Sequence, residues 1–210
     1  MNPRSVSETS LGEFLTAVAS PDETHGAVST AAVAGGLGCS LLLMVATLPK
    51  TKSDSIDDRT RLIESATALS NLQEQLMETI ETDTAVKIFA ARNMPQGSHT
   101  QRSERQTAIQ FALRAAADVP LEVMRLCVRG LTHAATVAGH GARAASADIE
   151  LGIALLNAAC NGARSNLESK LSSLTNAVYI TSVVEEMAQL NEEAKSAASA
   201  ASASLQVPPA

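Results

Sequence analysis

Two aspartates, Asp83 and Asp148, lie on helix faces that are otherwise apolar. A carboxyl group in such a position is a candidate for proton transfer to or from a substrate. Asp83 follows Ile80 by three residues, on the continuation of one stripe, and Lys87 comes one helical turn later. Asp148 opens a second stripe. Burial among packed helices raises the pKa of a carboxyl group, which suits it to general acid and base catalysis. The alternative for Asp83 is an i,i+4 ion pair with Lys87 at the edge of its stripe.

The second stripe also carries an amide side chain, Asn166. The apolar or small positions between Asp148 and Asn166 on that helix face are Leu151, Leu155, Ala159 and Gly162. Eighteen residues of helix separate the two polar side chains, which places them ~27 Å apart along the helix axis. They therefore cannot contact the same reacting carbon within one subunit. Asn166 is either structural or binds the tail of a substrate.

Other reactive side chains show no catalytic or metal-binding spacing. The three cysteines are embedded in apolar helical sequence without a CxxC-like pattern: Cys39, Cys127 and Cys160. They are predicted to be buried thiols in a reducing compartment. The four histidines are scattered: His25, His99, His133 and His140. No phosphate-binding loop, nucleophile elbow or zinc-ligand set occurs in the sequence, and we predict no metal site.

The composition favours an all-α protein and argues against nucleic-acid binding. Aromatic residues make up 2% of the 210 positions, so Ala, Leu, Val, Ile and Met must build the core, which suits closely packed helices. The net charge is −6, and no basic stripe with interleaved aromatic residues is present. The length fits one domain.

Hydrophobic periodicity predicts an up-and-down bundle of long amphipathic helices. A short helix begins after Ser10, with Glu13 completing a capping-box spacing. The later helices are predicted over 27–48, 54–93, about 100–138, about 145–172 and about 174–195. Pro120 is expected to kink or divide the fourth of these six helices. Helices of about 35 residues would run ~50 Å, longer than one compact domain is wide, so a homodimer is predicted.

Three further expectations concern the ends of the chain and its location. Residues 1–195 are predicted to form the single helical domain, and the Ala/Ser/Pro-rich segment 196–210 to be disordered. The segment 26–49 has 24 uncharged positions, but it is diluted with Ser, Thr, Gly and Ala, so a buried helix is favoured over a membrane span. No apolar signal-peptide region opens the sequence, so the cytoplasm is expected.

Four segments resemble the cyclodeaminase/cyclohydrolase family, which includes the cyclodeaminase half of formiminotransferase-cyclodeaminase and the methenyltetrahydrofolate cyclohydrolases. The longest is FLTAVASPDETHGAVSTAAVAGGLGCSLLLMVATL, similar to the family's N-terminal signature. The others are ETDTAVKIFAARNMP, QTAIQFALRAAADVPLEVMRLC and SADIELGIALLNAACNGARSNLESKLSSL. Together they cover roughly residues 10–175. Glycines before the second helix in this family expose backbone N–H groups at its positive end.

The resemblance implies an all-helical, dimeric enzyme that acts on one-carbon adducts of tetrahydrofolate and needs no cofactor beyond that substrate. Cyclodeamination expels ammonia from a formimino group, and cyclohydrolysis adds water to a methenyl carbon. Asp83 and Asp148 match family acidic positions and are the implied acid/base residues. The implied substrate-binding residues are Thr24, His25, Gly26, Ser29, Glu81 and Asn166.

Two other functions remain open from the sequence. The same scaffold could carry out a ring-forming or ring-opening reaction on a substrate other than folate, because Ala27 and Val28 replace family glycines after Gly26. Alternatively, the chain could be a non-catalytic helical dimer, in which every acidic residue has only a structural or solvated role.

Overall fold

The chain folds into seven α-helices, as seen in a computed structural model that describes residues 9–20, 26–80 and 84–206. The helices are α1 (Leu11–Val18), α2 (Ala27–Ala46), α3 (Ile56–Ile80), α4 (Thr84–Arg92), α5 (His99–His140), α6 (Ser146–Leu171) and α7 (Ala177–Gln206), with a 3₁₀ turn at Arg143–Ala145. Within the described residues the only β pairing is an isolated bridge between Thr51 and Gly141. The predicted all-α class is confirmed.

The first helix begins as the capping-box spacing predicts. The Glu13 backbone N–H donates to the Ser10 hydroxyl, and the Ser10 N–H donates to the Glu13 carboxylate at 2.9 Å. Each side chain thereby satisfies a backbone donor that the helix itself leaves unpaired. The start of α1 is therefore stabilised by its own residues, and within the helix Phe14 is buried.

α2 is the central helix, and its glycines let the neighbouring backbones approach closely. It packs against α3, α5 and α6. A Cβ atom added at Gly38 would stand 2.9 Å from both the Gly152 carbonyl oxygen and Leu156 Cγ.

By length and composition α2 is the one described helix apolar enough to cross a membrane. Its Ala32, Cys39 and Leu42 lie fully buried within the bundle, whereas Leu37 and Met44 are exposed, so the predicted buried helix is confirmed for one side of α2 only.

Contacts made by the glycines of α2 give the directions of α3 and α6 relative to it. Gly35 of α2 lies against Leu76 near the end of α3, and Gly38 lies against Gly152 near the start of α6. Both α3 and α6 therefore run antiparallel to α2. We call the end of the bundle with the start of α2 and the ends of α3 and α6 the upper end. The lower end holds the end of α2 and the starts of α3 and α6.

α5 continues through Pro120 as one helix of 42 residues, about 60 Å long at 1.5 Å per residue. The expected division at Pro120 does not occur. A proline costs the helix one backbone hydrogen bond, and here the ring is buried together with Ala116, Ala117 and Leu121. Packing on this turn therefore holds the helix together. The first part of α5 packs against α4.

The single helix predicted over 54–93 is represented by two described helices, α3 and α4. They pack differently, since α3 lies against α2 and α5, whereas α4 lies against α5. Residues 81–83, which separate them in the sequence, lie outside the described residues.

The predicted disorder from residue 196 onward is wrong for residues 196–206, because α7 extends to Gln206. Ala194, Ala198 and Ala201 recur at helical spacing and are buried. The Lys52 ammonium donates to the Ser204 carbonyl oxygen at 3.3 Å. Alanine is the strongest helix former, and its small side chain allows close packing. The composition of this segment resembles a disordered tail, whereas its periodicity is that of a packed helix. Residues 207–210 lie outside the described residues.

Candidate active site

Among the described residues, no side chain caps the start of α2. Gly26 is the N-cap residue, with extended backbone angles (φ −88°, ψ −168°), and it makes no side-chain capping bond. The first N–H groups of a helix have no partner inside the helix, and the aligned peptide dipoles give this end a partial positive charge. The start of α2 can therefore accept a carbonyl oxygen or an anionic group of a ligand.

A cavity of about 370 Å³ lies at this terminus, at the upper end of the bundle. Its walls come from the end of α1, the first two turns of α2 and the middle of α6: Val18, Gly26, Ala27, Thr30, Ala31, Ala34, Ala158, Ala159 and Gly162. The cavity is open to solvent on one side, where Thr30 and Ala158 are exposed. We call it the upper pocket. Its walls of Ala and Gly leave flat, apolar surfaces between two close helices.

Asn166 lies one helical turn beyond Gly162, on the same face of α6. Its Oδ1 atom is buried and has no hydrogen-bond partner. Leaving a buried acceptor unpaired costs roughly 1–3 kcal/mol. Gly26, Ser29 and Asn166 are the three described residues of the predicted binding set, and all three lie toward the upper end of the bundle.

The remaining predicted binding residues are distributed as follows. Ser29 lies half-buried in the first turn of α2, but it does not line the upper pocket. Thr24, His25, Glu81 and the predicted acid/base Asp83 lie outside the described residues. α3 ends at Ile80 at the upper end of the bundle, since Leu76 and Met77 lie against Gly35 and Gly36 of α2.

Asp148 lies at the opposite, lower end of the bundle. It is half-buried in the first turn of α6, four residues before Gly152, which packs against Leu42 near the end of α2. The structure therefore does not bring Asp148 together with Gly26 and Asn166 inside one chain. The physical reason is the antiparallel packing of α2 and α6, which keeps their starting residues at opposite ends.

Val28, which replaces a family glycine, does not obstruct the upper pocket. Its side chain packs against the hydrophobic core and is absent from the cavity walls. Ala27 does line the cavity, so only one of the two substitutions adds a methyl group next to a ligand.

Sequence reasoning missed a polar cluster at the lower end, formed by Asp58, Ser53 and His140. Asp58 accepts bonds from the Ser53 hydroxyl at 2.6 Å and the Ser53 N–H at 3.0 Å. Its other oxygen lies 2.7 Å from His140 Nδ1, which must donate because a carboxylate only accepts. These bonds, led by that from the Ser53 hydroxyl, lower the pKa of Asp58 to about 2. We call this cluster the lower clasp.

The lower clasp joins segments that are distant in the sequence. Asp58 and His140 are 82 positions apart, so no local spacing could have revealed the pair. Close by, the Lys52 N–H donates to the His140 carbonyl oxygen at 2.8 Å, and the Arg59 guanidinium donates to the carbonyl oxygens of Leu48 and Pro49. The cluster fixes the α2–α3 connection to the end of α5.

The three cysteines are free and buried, as predicted. Burial raises the pKa of Cys39 to about 12 and that of Cys160 to about 11. The pKa of Cys127 is also raised well above its usual value by burial. A thiol must ionise to act as a nucleophile, so none of the three is suited to nucleophilic catalysis at neutral pH.

A larger groove of about 720 Å³ lies between α4 and the first part of α5. Its walls include Ala90, Met94 and the 74% exposed Phe111, and its charged lining residues are Lys87 and Glu104. The groove contains neither an uncapped helix start nor a buried unpaired polar atom. The upper pocket lies at the start of α2, with Asn166 one helical turn beyond its lining residue Gly162, and it is the better candidate for a substrate site.

Comparison with known proteins agrees with this fold and with the sequence pattern around the upper pocket. The family model described as formiminotransferase-cyclodeaminase matches residues 10–189. The chain belongs to this family. The matched segment includes every residue that lines the upper pocket, and the predicted family resemblance is confirmed.

Two curated proteins are similar to the chain in sequence, and one solved structure is similar to it in fold. Formimidoyltransferase-cyclodeaminase of Gallus gallus is 27% identical over 189 residues, which is 88% of this chain but 35% of that protein. Methenyltetrahydrofolate cyclohydrolase of Methylorubrum extorquens is 30% identical over 149 residues, or 69% of this chain and 70% of that protein. The formiminotetrahydrofolate cyclodeaminase of Thermotoga maritima superposes with a TM-score of 0.84 at 21% identity, covering 96% of this chain and 98% of that chain.

Proposed function

We propose that this chain is an enzyme that acts on a one-carbon adduct of tetrahydrofolate, as a cyclohydrolase or a cyclodeaminase, in the upper pocket. The observation that carries the proposal is the family match, which contains the whole wall of that pocket. The names of the relatives point to the same substrate class, since one is a methenyltetrahydrofolate cyclohydrolase and another a formimidoyltransferase-cyclodeaminase.

Both reactions pass through a tetrahedral carbon held between nitrogens. In cyclohydrolysis a base removes a proton from water, a C–O bond forms at the methenyl carbon, and one C–N bond breaks as an acid protonates the departing nitrogen. In cyclodeamination the substrate nitrogen N10 attacks the formimino carbon borne on N5 and gives up its proton to a base, an acid protonates the formimino nitrogen, and ammonia leaves as the C–N bond breaks. Neither reaction changes the oxidation state of the one-carbon unit, so the proposal requires no cofactor beyond the folate itself.

The upper pocket offers groups suited to binding such a substrate. The flat walls of Ala and Gly can contact the faces of a ring system, and the uncapped start of α2 can bind a carbonyl oxygen. Asn166, one helical turn beyond the lining residue Gly162, is the proposed binding residue for the substrate tail. Asp83 is the proposed acid/base residue, with Glu81, Thr24, His25 and Ser29 as the further binding residues.

The test is turnover of the two folate adducts by the full chain. Loss of methenyl absorbance would reveal cyclohydrolase activity, and ammonia release from the formimino adduct would reveal cyclodeaminase activity. Asp83→Asn should lower kcat by at least about 100-fold, because general acid–base catalysis contributes factors of that size. Asp57→Asn is the matched control, since this side chain is 71% exposed and pairs only with Arg61. Absence of turnover, together with no folate-induced thermal shift, would contradict the proposal.

The working state of the protein is also part of the proposal. We infer a homodimer that works in the reducing cytoplasm, supported by apolar surfaces left uncovered in one copy and by three free cysteines. A small folate-like molecule is the proposed partner, and neither nucleic acid nor a membrane is proposed as one.

One observation favours a second candidate, a ring-forming or ring-opening reaction on a different substrate. Ala27 places a methyl group in the wall of the upper pocket where the family pattern has glycine. Thermal shifts with other ring-containing metabolites, combined with none for folates, would favour this candidate.

A further inference from the structure

α4 and the first part of α5 form an arm at the upper end of the bundle. α5 ends beside the end of α2, where Gly141 lies against Val45, so its start points toward the upper end. The side chain of Gln110 bonds the connection between α6 and α7. Residues 99–109 of α5 extend ~16 Å beyond this contact. We call α4 and residues 99–114 of α5 the arm.

A groove of about 720 Å³ runs between the two helices of the arm. We call it the groove beside α4. Each side contributes residues at helical spacings of three and four: Lys87, Ala90 and Met94 on one side, and Glu104, Ala108 and Phe111 on the other. Ala91 and Ala112 are buried at its floor, whereas Phe111 is 74% exposed. Two rows of side chains at helical spacing leave a channel into which the ridge of a third helix can pack.

The arm is a basic part of an acidic protein. The whole chain carries a net charge of −6. Between residues 84 and 114, in contrast, the one acidic side chain is Glu104, and there are five basic ones: Lys87, Arg92, Arg102, Arg105 and Arg114. Among the ion pairs of the described residues, none involves these six side chains. Cations without a counter-charge favour an anionic partner.

An acidic amphipathic helix is the occupant that matches both the shape and the charge of the groove. Its apolar stripe would contact the two rows of lining residues, and its carboxylates would meet the unpaired cations. The arm of a second copy carries the same excess of positive charge, so two arms repel each other. A membrane surface takes up the convex apolar face of an amphipathic helix, whereas this apolar surface is concave.

We propose that the groove beside α4 binds an acidic amphipathic helix of another protein. Its lining residues are separate from those of the upper pocket, so the proposal does not depend on the proposed enzymatic function. α4 begins four residues after Ile80, the last residue of α3, so its start lies within ~14 Å of the upper end. The bound protein therefore lies at the end of the bundle that holds the upper pocket.

Binding is tested with a labelled peptide and the full chain. The probe is a fluorescein-labelled helix of about 18 residues, with Leu at spacings of three and four and Glu or Ala elsewhere, and its anisotropy is followed as protein is added. The control peptide has Lys in place of every Glu and should bind at least about ten-fold more weakly. Added salt should weaken binding of the acidic peptide. Absence of binding by the acidic peptide, or equal binding of the two peptides, would overturn the proposal.

Three substitutions in the groove test which contacts are responsible for binding. Phe111→Ala removes an apolar wall and should weaken binding of the acidic peptide about ten-fold or more. Lys87→Glu should weaken it about two- to five-fold, and Glu104→Lys should strengthen it by a similar factor, as expected of exposed charge pairs. Val178→Ala is the matched control and should bind normally, since this residue is 82% exposed on α7. Equal affinity of all four variants, or weaker binding by Glu104→Lys, would overturn the assignment to this groove.

Two further measurements distinguish a partner helix from other occupants. In light scattering Phe111→Ala should have the same oligomeric state as the wild type, and neither protein should sediment with phosphatidylserine vesicles. Self-association of the wild type that Phe111→Ala abolishes would show that a second copy fills the groove. Vesicle binding that Lys87→Glu abolishes would show that the arm contacts a membrane surface. Either of these results would overturn the proposal.

Discussion

The upper pocket and the lower clasp lie at opposite ends of the same helices, and they differ in how completely their polar groups are paired. In the lower clasp both oxygens of Asp58 accept hydrogen bonds, and Arg59 donates to the two carbonyl groups that follow α2. Toward the upper end the N-cap residue Gly26 makes no side-chain capping bond, and Asn166 Oδ1 is buried without a partner among the described residues.

This difference indicates that the lower clasp serves the stability of the bundle, whereas the upper end serves binding. Paired groups contribute to folding, whereas unpaired ones cost free energy until a ligand satisfies them. The lower clasp contains a histidine bonded to a carboxylate, a combination familiar from active sites, yet it lines neither the upper pocket nor the groove beside α4. The two ends should therefore respond in opposite ways to substitution.

The largest effect on stability is expected at the lower clasp. Asp58→Asn removes a charged acceptor that bonds Ser53 and His140, and it should lower the free energy of unfolding by roughly 2 kcal/mol. Denaturant titration at neutral pH measures this change. The KM for a folate adduct should not change, because the clasp is remote from the upper pocket. An unchanged unfolding free energy would contradict the structural role of the clasp.

The contribution of Asp58 to the free energy of unfolding should depend on pH. The pKa of Asp58 falls from 3.8 to about 2 on folding, so its contribution is complete above about pH 4 and is lost as the pH falls toward 2. The difference in unfolding free energy between wild type and Asp58→Asn should therefore shrink across that window. A difference that stays constant between pH 4 and pH 2 would show that the carboxylate charge is not responsible.

A smaller effect of opposite sign is expected at the upper pocket. Asn166→Leu removes a buried acceptor that has no partner, so the unfolding free energy should rise by about 1 kcal/mol. The KM for the folate adduct should rise, because the substrate loses a hydrogen-bond acceptor. Asn161→Leu changes an exposed residue of the same helix and should alter neither quantity. A destabilised Asn166→Leu protein with normal KM would show that Asn166 is structural.

Much of the fold could be predicted because helical periodicity is a local property. The cap at Ser10, the buried α2 and the helix over 145–172 all follow from spacings of three and four residues. The error at residues 196–206 arose from weighing composition above periodicity, since Ala194, Ala198 and Ala201 form a helical stripe that packs. The expected division at Pro120 is wrong for a related reason, because tertiary packing holds the helix through it.

The candidate site could be predicted only in part. Gly26 and Asn166 were recognised through the family pattern, and the structure places both at the upper end. Their shared location could not be deduced from the residues, because the chain positions are far apart and only the antiparallel packing of α2 and α6 aligns them. The pairing of Asp58 with His140 was missed for the same reason.

The sequence by itself determined the all-α class, the apolar character of α2 and the family to which the chain belongs, since each is written in local composition, spacing or motif. Only the tertiary structure decided which polar groups are paired and which remain unpaired, and at which end of the bundle each residue lies. Those properties depend on contacts between helices that are distant in the chain, and no local pattern encodes them.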